Sequence, residues 1–255
     1  MRRSDNEHNV IMKKLISIFT ASLVLAVASM TQAAIIADWN FEVSPTPGDT
    51  TSTSVSSGVA DTGDNTSGSA ATGLHASSSS VWTFGNAGNG SSHSFSVNHW
   101  AVGDYFQFKV STIGYQNIMV AFSAFGSGTG PRDFKIAYST DGTSFTDFNT
   151  YSVVATPTWN TTTHQTTSTE NFSFDFSSFT SLNNDSDIYF RLLDTSTVSI
   201  GGGTVGTAGT SRVDDFAING DLIPVPEPTT YAEIIFGVLF CGTQVARKIR
   251  SRARA

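Results

Sequence analysis

The sequence lacks the residues that several common classes of protein require. Its 255 residues include a single cysteine, Cys241, so a disulfide framework and a cysteine-rich zinc site are both excluded. Only 14% of the residues are charged and 22 are glycine, a composition that excludes a long helical or coiled-coil protein. No stretch between residues 34 and 224 repeats its apolar residues with the period of a helix over three turns.

Basic residues are scarce in the body of the chain. Residues 34–228 hold five Lys and Arg against 18 Asp and Glu, so this region carries a charge of −13, although the whole chain carries −7. A surface of this charge repels a phosphate backbone, and nucleic acid is therefore not expected as a partner. The same surface could attract Ca²⁺ or other cations.

Motifs of catalysis are also missing. The sequence contains no Gly-x-Ser-x-Gly elbow, no His-Glu-x-x-His and no P-loop, and its histidines at 75, 93, 99 and 164 are scattered. Since no nucleophile and base can be placed together, we predict that the protein is not an enzyme. A secreted enzyme acting on polysaccharide remains the alternative, because a glycosidase needs only two carboxylates at a set separation.

Residues 1–33 have the pattern of a secretory signal peptide. Met12–Lys14 supplies a basic region, Leu15–Ser29 an apolar run, and Thr31-Gln32-Ala33 the small residues of a cleavage site after Ala33. The preceding residues 1–11 are polar and charged, which is unusual before a signal, so translation is expected to start at Met12. The alternative is a retained N-terminal anchor.

The C-terminal segment, 224–255, has three parts in a fixed order. Val-Pro-Glu-Pro at 225–228 is followed by a largely apolar stretch at 231–246, which predicts a membrane-spanning helix, and then by a basic tail at 247–254. The basic cluster consists of Arg247, Lys248, Arg250, Arg252 and Arg254. Lys and Arg favour the cytoplasmic side of a membrane, so this order leaves the body of the chain outside.

The apolar stretch would make a weak anchor. At about 1.5 Å per residue it reaches roughly 24 Å, which is shorter than a hydrocarbon core of about 30 Å, and it contains Glu233 and Gln244. A temporary anchor that awaits cleavage can be weak. An ordinary amphipathic C-terminal helix is the alternative.

This tripartite tail resembles the PEP-CTERM sorting signal of Gram-negative bacteria. The resemblance implies that an exosortase in the membrane recognises Val225, Pro226, Glu227 and Pro228 and cuts near them. It also implies an inner-membrane intermediate, followed by delivery to the cell surface or the extracellular matrix, often alongside exopolysaccharide. Both prolines disfavour a helix around Glu227, so the motif should be extended and accessible.

Residues 34–223 read as one all-β domain. Apolar residues alternate with polar ones in several runs, and this alternation predicts half-buried strands. The runs are 105–110, 134–138, 172–176 and 188–192. An Asp-Gly pair at 141–142 predicts a hairpin, and many short strands joined by glycine-rich turns indicate a single antiparallel β-sandwich. The segment 44–80 is rich in Ser and Thr and poor in large apolar residues, so it is predicted to be an exposed, poorly ordered loop, with an excursion at a sheet edge as the alternative.

The body also loosely resembles the jelly-roll sandwiches of exported bacterial proteins and carbohydrate-binding modules. The residues that carry this resemblance are 38–42, 138–142 and 213–218. In such sandwiches the first and last strands often lie side by side and hold a structural Ca²⁺. The resemblance therefore implies a candidate calcium site formed by Asp38, Glu42, Asp214 and Asp215; the alternative is that these are solvated acids at strand ends.

Tryptophans are the candidate sugar-binding residues, because sugars stack on exposed aromatic rings. Trp82 and Trp159 lie in polar surroundings and are the candidates for such a platform, with packing in the core as the alternative for each. Trp39 lies in an alternating strand and is predicted to belong to the core. We therefore predict an exported, non-catalytic protein of the surface or matrix, with polysaccharide as a candidate partner. A purely structural coat or adhesin domain is a further alternative.

Overall fold

The computed structural model describes residues 33–43 and 49–225. All of its strands lie in one compact unit, Gln32–Ile223; of the other unit, Met1–Thr31 with Pro224–Ala255, only residues 224 and 225 are described. The strands are β1 (Ala33–Trp39), β2 (Thr50–Thr51), β3 (Ser54–Gly58), β4 (Ala70–Leu74), β5 (Val81–Thr83), β6 (Phe95–Val97), β7 (Tyr105–Val110), β8 (Tyr115–Gly126), β9 (Asp133–Ser139), β10 (Thr146–Ser152), β11 (Asn171–Asp175), β12 (Ile188–Asp194) and β13 (Ser211–Leu222). One short 3-10 helix spans Thr180–Leu182.

The strands form two antiparallel sheets. The first has the order β11-β8-β13-β6-β5-β2, with β1 also paired to β13, and the second has the order β10-β9-β12-β7-β4-β3. The prediction of an all-β, antiparallel sandwich is confirmed in this form. The first and last strands pair directly, with Asp38 opposite Ala217. Among the residues described, no helix is long and apolar enough to cross a membrane.

Several predictions concern the two ends of the chain, which lie almost entirely outside the described residues. The signal peptide, the span at 231–246 and the basic cluster at 247–254 all lie outside them. Of the sorting motif only Val225 is described, and its side chain is exposed.

Aromatic side chains fill the space between the two sheets. Phe108 of β7 stacks on Phe216 of β13 with ring centroids 3.5 Å apart, and Trp39 packs edge-on against both rings. All three side chains are fully buried, as predicted for Trp39. Burying each large apolar side chain stabilises the fold by about 1.5–3 kcal/mol, so this stack joins the sheets strongly.

The alternating runs form strands because each has one buried face. In β7 and β12 every second residue is buried, and β9 pairs with β12 along its whole length. The predicted hairpin joins β9 to β10. Gly142 has a φ of 71°, and the Asp141 carboxylate accepts hydrogen bonds from the amides of Thr143 and Ser144 at 2.8 and 2.7 Å.

The Ser/Thr-rich segment is not the exposed loop that the sequence predicts. Strands β2, β3 and β4 lie within it, and Ser57, Ser69 and His75 are buried. The reason is that small residues leave room for a large neighbour: a Cβ atom on Gly73 would lie 2.2 Å from the Trp82 ring. The prediction of a loop is therefore wrong where β2, β3 and β4 lie, and β2 and β3 are edge strands of the two sheets, as the alternative of an edge excursion expects. Residues 44–48 lie outside the described residues.

Candidate functional site

An open cleft of about 520 Å³ lies on the outer face of the first sheet. It is centred where β1, β13, β8 and β11 run side by side. Its floor is formed by the small side chains of Ala217 and Ala121, which are opposite each other and alternate with buried core residues. A ligand can approach the sheet closely there because no bulky side chain projects from the floor.

One side of the cleft carries three carboxylates. Asp38 and Glu42 come from the end of β1 and the residues after it, and Asp215 comes from β13. Asp215 sits at an irregularity in the pairing of β13 with β8 and has a φ of 49°. This left-handed conformation interrupts the regular pairing of β13 with β8 just where the carboxylate lines the cleft.

Burial and mutual repulsion raise the pKa values of carboxyl groups on this side of the cleft. Burial, followed by the charges of Asp215 and Asp61, raises the pKa of Asp38 to about 6. The pKa of Asp215 is also raised, mainly by burial, with nearby His164 acting in the opposite direction. The Oδ1 atom of Asp38 is buried and has no hydrogen-bond partner among the residues described. It is therefore an acceptor that the protein itself leaves unused.

The other side of the cleft consists of amide, hydroxyl and aromatic groups. The Nδ2 atom of Asn89 donates to Ser123 Oγ at 3.1 Å, and Ser123 Oγ donates to Asn171 Oδ1 at 2.8 Å. Asn171 Nδ2 in turn donates to the Gln165 carbonyl at 2.8 Å. Phe172, which is half-buried, lines the cleft beside them. These bonds hold the polar groups in fixed orientations.

Asp214 lies behind the cleft and holds its loop. It is fully buried, and its Oδ2 accepts hydrogen bonds from the Asn89 amide at 2.7 Å and from Ser91 Oγ at 2.8 Å. Burial, followed by the charge of Asp215, raises the pKa of Asp214 to about 7. Gly88 allows this contact, because a Cβ atom there would lie 2.1 Å from the same oxygen.

Comparison with known proteins assigns no family. No family model and no curated protein matches the chain. Among solved structures, the K1 cleaved adhesin domain of Lys-gingipain from Porphyromonas gingivalis W83 is 11% identical, over 74% of this chain and 98% of that one, with a TM-score of 0.35. A CBM4 structure is 14% identical, over 51% of this chain and 71% of that one, with a TM-score of 0.32.

A third solved structure is TmCBM61 in complex with β-1,4-galactotriose. It is 12% identical, over 66% of this chain and 88% of that one, with a TM-score of 0.27. At identities and TM-scores this low, the likenesses do not assign an activity to this chain.

The structure brings three of the four predicted calcium ligands to one cleft. Asp38, Glu42 and Asp215 line it, whereas Asp214 points to the loop behind. Within residues 33–43 and 49–225, however, no three Asp, Glu, His or Cys side chains gather so that they could hold a metal ion. The Glu42 carboxylate is instead engaged by the His93 amide at 2.7 Å. The described side chains therefore do not form the predicted calcium site.

The predicted tryptophan platform does not exist. Trp82 is 0% and Trp159 is 4% exposed, so neither ring presents a face to a sugar. Trp82 packs between His75 and Phe95, and its Nε1 donates to the Ser52 carbonyl at 2.9 Å. Trp159 stacks on Phe125. Their sequence neighbours are polar, but residues distant in sequence cover both rings.

The sequence did not single out the amide side of the cleft. Asn89 and Asn171 match the Asn-x-Ser/Thr pattern, which the frequency of these residues explains equally well. One feature of the sequence could have pointed to Asn89, because it lies between two glycines. A polar residue between two glycines is typical of a loop that another segment approaches closely.

A buried cluster elsewhere resembles a catalytic triad only in its residue types. Ser80 Oγ lies 3.0 Å and Asp104 Oδ2 lies 3.5 Å from the same nitrogen of His75, Nδ1. A triad needs the two contacts on opposite nitrogens. Burial lowers the pKa of His75 to about 3, so the ring is neutral, and the Ser80 side chain is fully buried. This cluster is structural.

Proposed function

We propose that this protein is exported and binds polysaccharide, without catalysis, in the cleft on the first sheet. The observation that carries the proposal is the convergence of carboxylates, amides and one aromatic side chain above a floor of small residues. Sites for small polar ligands generally combine an apolar surface with a few oriented polar groups.

The two sides of the cleft have complementary chemistry toward a sugar. Asp38 and Asp215 accept hydrogen bonds from hydroxyl groups, and Phe172 supplies an apolar edge, while Asn171 is held in place by its bonds to Ser123 and Gln165. Three carboxylates on one side repel an anionic ligand. We therefore infer that the cleft prefers a neutral sugar to an acidic one.

The position of the carboxylates supports binding rather than hydrolysis. All three lie on the side of the cleft formed by β1 and β13, and the groups that line the β8 and β11 side carry none. A glycosidase needs two carboxylates that flank the bond to be cleaved. On this argument the protein is a binding module and not an enzyme.

Titration against a panel of soluble neutral polysaccharides, followed by affinity electrophoresis, tests this proposal. Asp215→Asn is the informative variant, because asparagine tolerates the left-handed backbone at this position and only the charge is lost. We expect about a tenfold loss of affinity, the effect of losing a hydrogen bond to a charged group. Asp147→Asn, an exposed carboxylate on β10, is the matched control. Equal binding by both variants and the wild type would refute the assignment.

Glycoside hydrolysis is a second candidate, and one observation favours it. Asp38 has a pKa of about 6 and lies beside Asp215, so one carboxyl could keep its proton while its neighbour is ionised. Such a pair is used in general acid catalysis. Release of reducing ends from a bound polysaccharide, abolished by Asp38→Asn, would establish this activity in place of simple binding.

We also propose that the tail at 224–255 directs sorting. The motif at 225–228, the apolar stretch and the basic cluster support recognition by an exosortase in the membrane. The protein would pass through the inner membrane of a Gram-negative bacterium and reach the cell surface or matrix. Mass spectrometry of the mature C-terminus in the native host tests this, since a terminus that retains residues 229–255 would contradict sorting by cleavage.

A further inference from the structure

The second sheet carries a row of polar side chains on its outer face. Arg191 of β12 lies opposite Gln107 of β7, which lies opposite Thr72 of β4, which lies opposite Ser56 of β3. Arg191, Gln107 and Thr72 alternate with buried residues on their strands, and Ser56 is exposed between half-buried Val55 and buried Ser57. Neighbouring strands are about 4.8 Å apart, so the row extends over about 14 Å. This length suits a chain of several units better than a single small molecule.

The guanidinium group of Arg191 is held between two aromatic rings. Its Cζ atom lies 3.6 Å from the ring centroid of Phe145 and 4.0 Å from that of Tyr105. Its Nε donates to Gln107 Oε1 at 2.8 Å, and Gln107 Nε2 is 3.5 Å from Thr72 Oγ1. With both faces covered and Nε occupied, the two terminal nitrogens remain as the group's binding edge.

Arg191 also differs from the other cations of the domain. Lys109, Lys135 and Arg132 form ion pairs with Asp187, Asp147 and Asp133. Arg212 is half-buried and donates to the Ala87 carbonyl at 3.2 Å. Across residues 33–43 and 49–225, Arg191 makes no ion pair, and its terminal nitrogens have no hydrogen-bond acceptor. An unpaired, positioned cation stands out in a region with 18 acidic and five basic residues.

We propose that Arg191 binds the carboxylate of an acidic sugar, and that the row from Arg191 to Ser56 is the subsite of an acidic polysaccharide. A guanidinium edge matches a planar carboxylate, with two parallel N–H···O bonds. The rings fix its orientation in advance, which reduces the entropy lost on binding. The amide and hydroxyl groups of Gln107, Thr72 and Ser56 are suited to the hydroxyls of neighbouring sugar units. This site lies on the opposite sheet from the cleft and does not depend on it.

The test compares polymers that differ in one chemical group. The full-length chain is titrated with polygalacturonate and with its methyl ester, which removes the carboxylate charge. We expect binding to polygalacturonate that weakens with added salt, and about tenfold or weaker binding to the ester. Dextran sulfate and poly-glutamate are included, and we expect both to bind less well than polygalacturonate.

Three variants identify the residue. Arg191→Gln is expected to lower the affinity for polygalacturonate by about tenfold or more. Arg191→Lys should lose most of the affinity, because lysine lacks the planar pair of N–H donors of the guanidinium group. Arg132→Gln makes the same change in charge at an ion-paired position and should bind as the wild type does. Circular dichroism checks that each variant folds. If Arg191→Gln does not fold, Arg191→Lys provides the test of whether Arg191 binds the carboxylate.

Several results would overturn the proposal. These are wild-type affinity in both Arg191 variants, an equal loss in Arg132→Gln, equal binding of the methyl ester, equal binding of dextran sulfate or poly-glutamate, and no binding of polygalacturonate to the wild type. The neutral polysaccharides that test the cleft are titrated in parallel against the wild type, so failure at this site and failure of the cleft assignment are distinguished.

Discussion

Asp214 should make the domain less stable as the pH rises. Its folded pKa of about 7 lies above the ordinary value of 3.8 for an aspartate, so between these values the folded protein binds more protons than the unfolded chain. The unfolding free energy therefore falls as the pH rises from about 4 to about 7. A shift of about three pH units, at about 1.4 kcal/mol each, sets an upper bound of about 4 kcal/mol.

Replacing Asp214 with asparagine removes this titration. The amide cannot accept all of the hydrogen bonds that the carboxyl accepts from Asn89, Ser91 and Asp215, so below about pH 4, where Asp214 is protonated in both states, we expect the variant to be less stable by about 1–3 kcal/mol. The informative quantity is the difference in unfolding free energy between wild type and variant. The advantage of the wild type should fall by up to about 4 kcal/mol between about pH 4 and about pH 7, so over the full range the variant becomes the more stable protein.

Comparing two proteins cancels the contributions of other groups. Asp38 and Asp194, with pKa values raised to about 6, act in the same direction as Asp214. His75, whose pKa is lowered to about 3, acts in the opposite direction, because its unfolded form takes up a proton between that value and 6.5. All three are present in wild type and variant alike.

Urea unfolding, monitored by tryptophan fluorescence across this pH range, measures the difference. Asp175→Asn is the control. Hydrogen bonds from Ser177 lower the pKa of Asp175, so the contribution of this carboxylate to stability is lost only below about pH 4. Between about pH 4 and about pH 7 the unfolding free energy of Asp175→Asn should therefore run parallel to that of the wild type. Parallel curves for wild type and Asp214→Asn would refute the reasoning about Asp214.

Three further predictions test the packing and the site. Trp82→Ala should lower the unfolding free energy by about 3–5 kcal/mol, because a buried ring is lost; urea unfolding measures this, and a loss below about 1 kcal/mol would contradict its burial. Gly88→Ala should weaken neutral-sugar binding in the same electrophoresis assay, since its Cβ atom would displace the Asp214 contact; Gly85→Ala, with open space around it, is the control. Millimolar Ca²⁺ should leave the melting temperature unchanged, because no group of three metal ligands gathers in the described residues; a rise reversed by a chelator would contradict this.

Much of the fold could be predicted because burial on one face leaves a pattern in the sequence. β7 and β12 show period-2 alternation, since each packs one side on the core and turns the other away from it. β4 could not be found in this way. Its inward residues are Ala71 and Gly73, which are small because the ring of Trp82 fills the space above them.

The candidate site could be predicted only in part. Asp38, Glu42 and Asp215 were singled out because they lie near strands expected to be neighbours, and they line one cleft. Their partners across the cleft come from β8, β11 and two loops, and no local pattern links Asn89 to Ser123 or Asn171. The ring of Phe172 was predicted as part of an alternating strand, not as a cleft residue.

The sequence by itself determined the class of fold and the uneven charge, because alternation and composition are local properties of the chain. It also determined that residues 34–228 hold few cations. Only the tertiary structure decided which aromatic rings are buried and which cation lacks a partner. Both depend on residues outside the local sequence pattern: Trp82 packs against Phe106 of β7, and Arg191 is enclosed by Phe145 and Tyr105.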